Sequence, residues 1–202
     1  MKTKFLFFAL LFPVIVVAQQ ETKIRIKGVN PESLNVFYLS IVQGRNVVKV
    51  FYKIQNSLSS KVKHDPDYIA LKEEPSSSFI ETSTGTVNQK YSERLGSIFN
   101  RYYVYTIDSL KFLKSKNRGY SNLITKVKDL SMEKLPEDKR SFLDGTSFEI
   151  VVTNGKFERI FQLISPDKDY APAIAQLITQ TFNLFRKGKN DSYLTLKRTS
   201  GY

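Results

Sequence analysis

Between residues 147 and 185 the sequence changes its hydrophobic period from two to between three and four, and no other feature constrains the fold as strongly. Phe148, Ile150 and Val152 alternate up to Asn154-Gly155, and residues 157–164 return with the same alternation. Asn-Gly between alternating apolar runs is the strongest short-range signal for a β-hairpin. A two-residue turn there puts Phe148, Ile150, Val152, Phe157 and Phe161 on one face, with Arg159 at its edge or snorkelling out to water. That face needs a cover, and the next segment supplies one. Ser165-Pro166 breaks the strand, and Pro172 suits a first helical turn. Ile174, Leu177, Ile178, Phe182 and Phe185 then form a helical stripe that ends before Gly188.

A second hairpin is expected over residues 33–55, around Gln43-Gly44-Arg45-Asn46. With Gly44-Arg45 as the turn and Gly44 at positive φ, Phe37, Leu39 and Ile41 share a face with Val48, Val50, Tyr52 and Ile54. The opposite face carries Tyr38, Ser40, Lys49 and Lys53 together with Val42, Val47 and Phe51, and reads as the side toward solvent. A preceding strand spans residues 22–29, where Ile24 and Ile26 alternate with Lys23, Arg25 and Lys27 before Gly28 and Pro31 terminate it.

The middle of the chain reads less sharply. Residues 57–86 are rich in Ser, Thr, Pro and charge, and predict loops with one or two short strands. Tyr91, Leu95, Ile98, Phe99 and Tyr102 then fall at helical spacing and predict a helix over 88–103. Asp108 suits the cap of a short second helix through Leu110 and Leu113, although 104–107 also reads as a strand. Ser121 suits the cap of a third helix with Leu123, Ile124, Val127 and Leu130 as its buried stripe. Asp144-Gly145 turns the chain into the Asn-Gly hairpin, and residues 193–196 read as a possible edge strand in a basic tail. No repeat or long linker appears. The expectation is an α+β fold in one domain: antiparallel hairpins forming one sheet, with three to four helices packed against it, the C-terminal amphipathic helix among them. A division near residues 76–86 is the alternative.

The first eighteen residues read as an export signal. Lys2 and Lys4 precede an apolar run over residues 5–17, and Val16-Val17-Ala18 offers small residues for cleavage ahead of Gln19. The run is shorter than the roughly 20 residues a membrane-spanning helix needs, so no transmembrane segment is expected after cleavage. The expected location is therefore periplasmic or extracellular. The absence of cysteine excludes a lipid-anchored lipoprotein and any disulfide scaffold, which leaves a hydrophobic core, supplied by 15 Phe and 11 Tyr, to hold the fold. With no Trp, a carbohydrate platform would have to be built from tyrosine.

Catalytic constellations are scarce. His64-Asp65-Pro66-Asp67 places the single histidine beside two carboxylates, but the spacing matches no defined metal site and Pro66 favours a turn. With one histidine and no G-x-S-x-G elbow, a Ser-His-Asp triad has no frame. Ser60-x-x-Lys63 and Ser131-x-x-Lys134 lack the companion elements of acyl-transfer enzymes, and glycine-rich phosphate loops are absent. Glu73-Glu74 and Glu149/Glu158 are the available carboxylate pairs for glycoside hydrolysis, which needs two such groups about 5 to 10 Å apart. No cofactor is implied.

Charge gives the positive indication. The formal charge is +12, or +10 once Lys2 and Lys4 are removed with the leader, and such a surface attracts polyanions. In an exported protein that makes a polyanionic envelope polymer or an acidic protein a more natural partner than nucleic acid. Lys111, Lys114, Lys116 and Arg118 in one cluster, and Arg186, Lys187 and Lys189 in another, with Lys197 and Arg198 beyond, are the candidate binding residues on a basic helical side. The functional expectation is a non-enzymatic exported binding protein. The alternatives are a carboxylate-dependent hydrolase of envelope glycan and a periplasmic inhibitor or immunity protein.

Overall fold

The computed structural model of the chain describes residues 21–30, 36–75, 80–81, 86–135, 137–138, 140, 145–189, 194–195, 199 and 201–202. Residues 1–20, where an export signal is expected, Asp144, Tyr193, Lys197, Arg198 and most of the 76–86 stretch lie outside them. Six strands form one antiparallel sheet: β1 (Thr22–Val29), β2 (Val36–Gln43), β3 (Val47–Leu58), β6 (Tyr103–Leu113), β7 (Ser147–Asn154) and β8 (Phe157–Ile164). Their spatial order is β6-β3-β2-β1-β7-β8. β4 (Ile80–Glu81) and β5 (Thr86–Val87) pair separately. The helices are α1 (Pro66–Glu73), α2 (Gln89–Tyr102), α3 (Arg118–Lys128) and α4 (Pro172–Lys189), so the α+β expectation holds.

The alternation sets which face is buried. Ile24, Ile26, Phe37, Leu39, Ile41, Val48, Val50, Tyr52, Ile54, Phe148, Ile150, Val152, Phe161 and Leu163 face α3 and α4 and form the main core with them. Each fully buried side chain of this size contributes about 1.5–3 kcal/mol. Phe37 sits at the centre, edge-on to Phe148 (5.7 Å between centroids) and Phe182 (5.2 Å), so β2, β7 and α4 meet on one ring. Tyr52 meets Phe185 at 4.6 Å. Gly28 pairs with Phe37 across β1 and β2 and leaves the space that this ring fills. The glycine expected to end the strand is thus inside it, for a packing reason.

Both hairpins turn one residue later than expected. The N–H of Gly44 donates to the carbonyl of Val47 at 3.0 Å, so Arg45-Asn46 is the turn, and Gly44 is not among the positive-φ glycines. The second hairpin turns on Gly155-Lys156, with Gly155 at φ 60° and Asn154 paired with Phe157. A slip of one turn position moves the pairing by two residues and so preserves the faces. Phe157 keeps the core parity but sits at the sheet's end and is exposed, whereas Arg159 turns inward, donating to the carbonyls of Leu130 (2.7 Å) and Lys128 at the C-terminal end of α3. A cation there complements the helix dipole.

Three expectations in the middle segment are corrected. Residues 103–113 form the long edge strand β6, which contains the alternative strand over 104–107, and not a helix capped by Asp108, because β3 runs 12 residues and pairs with β6 from Val47 to Leu58 with one register shift between Gln55 and Ser57. Tyr68 to Leu71 lie in α1 rather than in a strand, since Asp65 caps that helix and Pro66 occupies its first turn. Asn117, not Ser121, caps α3, accepting the N–H of Tyr120 at 3.2 Å. In addition, α4 continues through Gly188 to Lys189, and Leu194 and Thr195 are not in a strand.

Helices α1 and α2 cover a smaller cluster of Val62, Leu71 and Ile98, edged by Leu58, Tyr68, Leu95 and Phe99. Its polar pin is the buried Asp65. The carboxylate accepts the N–H of Asp67 (2.8 Å) and Tyr68 (3.1 Å) and the Tyr102 hydroxyl (2.8 Å), and it lies 3.3 Å from Arg101, which also holds Asp67. The Tyr102 hydroxyl foremost, then the Tyr68 N–H, the Arg101 charge and the Asp67 N–H, outweigh desolvation and hold this carboxyl below its usual range.

Two predictions follow from this packing. An alanine Cβ at position 28 would lie 2.3 Å from the Cζ of Phe37, whose ring is fixed on three sides. Gly28→Ala therefore destabilises by about 1–3 kcal/mol, whereas Gly96→Ala in α2, where nothing lies within 4 Å, stabilises by about 0.5–1 kcal/mol; denaturant unfolding of both variants checks this. A native carboxyl with a depressed pKa stabilises the fold above its unfolded value of about 4 and loses that contribution as pH falls through the native value. Asp65→Asn is therefore less stable than wild type at pH 7, and the two melting temperatures converge on acidification below about pH 4; a gap that stays constant down to pH 2 contradicts the role given to Asp65.

Candidate functional site

Helices α3 and α4 pack on one side of the sheet; on the other side α2 reaches the end of β6, where Phe99 meets Tyr103 at 6.4 Å, and the middle of that face is open. Register organises that open face into rows. Lys111, Lys49, Val42, Lys23, Thr153 and Glu158 form one row from β6 to β8. Ser109, Phe51, Ser40, Arg25, Val151 and Ile160 form the next, and Ile107, Lys53, Tyr38, Lys27, Glu149 and Gln162 the third. Six cations and two carboxylates thus stand on the three rows. β1 and β3, which carry five of the cations, flank the neutral row of β2 formed by Tyr38, Ser40 and Val42. At ordinary strand spacing these two basic rails run about 9.5 Å apart.

A depression of about 490 Å³ opens between the rails, lined by Arg25, Lys27, Tyr38, Ser40, Phe51, Lys53 and Glu149, with Ile26 and Leu39 beneath. The Lys53 ammonium lies 3.8 Å from the ring centroid of Tyr105 and 5.7 Å from that of Tyr38, a cation held between two aromatic faces. Desolvation, with smaller contributions from Tyr38 and Tyr103, raises the Tyr105 hydroxyl, which stays protonated and able to donate. Arg25 lies 3.6 Å from Glu158, both well exposed, so the pair adds little stability and leaves the arginine accessible. Phe51, Ile107, Ile160 and Ile164 are exposed apolar side chains on the same face.

Larger than this depression is a cavity of about 880 Å³ between the β8–α4 loop and α4, lined by Arg140, Asp167, Lys168, Gln176, Gln180 and Tyr202 among others. Ser165 (φ 41°) and Ala171 (φ 54°) bound its loop in left-handed conformations. Its central charge is engaged in the fold. Arg140 donates to Asp138, to Asp167 and to the carbonyls of Ile164 and Ser165, and stacks on Tyr170 at 4.6 Å. These contacts hold the loop, so the open sheet face, where Lys23, Arg25, Lys27, Lys49 and Lys111 are exposed, is the better candidate despite the smaller cavity.

The candidate residues chosen from sequence do not gather on one helical side. Lys111 faces the open side of β6, opposite Lys49. Lys114 and Lys116 lie in a 3₁₀ turn, where the N–H of Lys114 donates to the carbonyl of Asn46 (2.9 Å) and its ammonium approaches that of Gly44 (3.5 Å). Arg118 opens α3 and Lys187 is exposed on α4, while Lys189 ends that helix. Arg186 is spent structurally: it donates to Asn183, Thr199 and the carbonyls of Leu194 and Tyr202, which ties down the tail. Lys23, Arg25, Lys27, Lys49 and Lys53 were the residues missed. Their alternation with buried neighbours was the signal, but it reads equally as an ordinary solvated face.

The other candidates are dispersed. Glu149 lies four residues along β7 from Thr153, the partner of Glu158, so the two carboxylates stand about 13 Å apart along the strand, beyond the separation that glycoside hydrolysis uses. Asp65 is a helix cap and His64 is exposed. Among the described residues no three His, Asp or Glu groups gather to hold a metal ion, and no helix is long and apolar enough to cross a membrane. No protein-family model, curated protein or solved structure matches the chain.

Like charges directly opposite on a sheet oppose folding, and Lys49 and Lys111 are such a pair. Lys111→Glu is expected to stabilise the free protein by about 0.2–1 kcal/mol. The gain, measured by thermal unfolding, should disappear in roughly 1 M salt, where charges separated by more than about 3 Å are screened.

Proposed function

We propose that the chain is an exported, non-enzymatic binding protein whose uncovered sheet face takes a polyanionic component of the cell envelope. The observation that carries this reading is the pair of basic rails on β1 and β3, which flank a neutral strand on the side of the sheet opposite α3 and α4. Five cations on two rails hold anions along a line rather than at a point, as a polymer requires. The surplus of positive charge over the whole chain draws such a ligand in and makes the affinity fall with salt. The leader read from the first eighteen residues supports export. An acidic protein partner is the second reading, favoured by Ile107, Ile160 and Ile164 exposed at the margins of the same face.

The test is sedimentation of the chain from Gln19 with the producing cell's envelope fraction from about 50 to 500 mM salt. Binding should decline linearly on a log-log plot, and the triple variant Lys23→Glu, Lys49→Glu, Lys111→Glu should lower it severely and flatten the slope by roughly one per lysine. The double variant Lys126→Glu, Lys187→Glu, on the helical layer, should behave as wild type. Equal loss in both variants, or binding indifferent to salt, contradicts the assignment of the face.

A further inference from the structure

Resting on the polyanion reading above, we propose that the ligand of the open face is an acidic polysaccharide, laid along β2 with sugar rings over Tyr38 and Phe51 and its carboxylates on the two rails. The depression carries three kinds of group, and each excludes a simpler polyanion. Arg25, Lys27 and Lys53 call for negative charge. Tyr38 and Phe51, the latter 37% exposed, present apolar ring surface that a charge-only polymer such as polyphosphate would leave in water. Glu149 stands exposed in the depression beside Lys27 and can only accept hydrogen bonds. A ligand that brings hydrogen-bond donors as well as anions satisfies Glu149 along with the three cations.

A uronic-acid polymer brings all three: carboxylates for the rails, hydroxyls that donate to Glu149 and to Ser40, and flat C–H faces for the aromatic rings. Single-stranded DNA brings anions and stacking bases, but its donors are all on the bases, so a base lying on Tyr38 or Phe51 would also have to reach Glu149. An acidic peptide brings carboxylates and N–H donors, but acidic side chains offer no flat apolar face to Tyr38 and Phe51. The neutral row of β2 between the rails gives the sugar chain its path, because Tyr38, Ser40 and Val42 repel no part of it.

Calorimetry on the chain from Gln19, at one low salt concentration, with polygalacturonate, polyphosphate, poly-glutamate, oligo-dT and phosphatidylglycerol vesicles, tests this. Polygalacturonate should bind tightest. Tyr38→Leu with Phe51→Leu, which keep apolar volume but remove the rings, should weaken polygalacturonate by about fivefold or more and leave polyphosphate unchanged. Glu149→Ala should split in sign, weakening polygalacturonate and strengthening polyphosphate. Unchanged melting temperatures confirm that the variants are folded. If all the polyanions bind alike and the three substitutions move them together, the polysaccharide assignment is overturned while the polyanion reading stands. Tighter binding to vesicles, to oligo-dT or to poly-glutamate overturns it in favour of that ligand. If none of the five binds, both readings fall.

Discussion

The fold depends on one ring. Phe37 occupies the space that Gly28 leaves empty and touches Phe148 and Phe182 edge-on, joining the N-terminal strands to the late hairpin and the C-terminal helix, both more than a hundred residues further along the chain. β1 belongs to both halves, pairing with β2 on one side and β7 on the other, and so carries the register of the first hairpin into the second. Once that contact is made, α4 has a fixed seat. The Tyr120 hydroxyl, 2.7 Å from Thr181, then fixes α3 beside it, and Arg159 closes the end of α3 against β8.

The open face results from that arrangement. Two helices of 11 and 18 residues cover one side of the six strands, while α1 and α2 are committed to their own cluster around the buried Asp65. The uncovered side carries lysines opposite one another, a cation between two tyrosine rings and a phenylalanine in partial contact with water, an arrangement that gives little to stability. On the function proposed above, a partner would supply this surface with negative charge and with something for the rings to cover.

The face pattern was legible in the sequence wherever alternation met a turn signal. Both hairpins, the buried stripe of α4 and the face shared by Phe37, Leu39, Ile41, Val48, Val50, Tyr52 and Ile54 follow from periods of two and of three to four. The turns were misplaced by one residue because Gly44 and Asn154 are plausible turn residues, whereas Gly44 hydrogen-bonds to Val47 just beyond β2 and Asn154 ends β7 paired with Phe157. β6 was legible only as an alternative over 104–107, since its residues are at most half-buried and its conformation comes from pairing with β3 over long range. Nor could the sequence separate Arg186, whose donors bind the tail's carbonyls, from Lys187 one position on, which is exposed. The site residues were hidden for a similar reason: a basic residue on the outer side of an amphipathic strand looks the same whether it faces water or a ligand.

Lysine reactivity measured residue by residue tests the central claim most directly. Amine labelling of the chain from Gln19, alone and with the envelope fraction, should protect Lys23, Lys27, Lys49, Lys53 and Lys111 as one set and leave Lys126, Lys168 and Lys187 as reactive as before. Protection spread evenly over both layers, or confined to the lysines of α3 and α4, would contradict the assignment of function to the open face of the sheet.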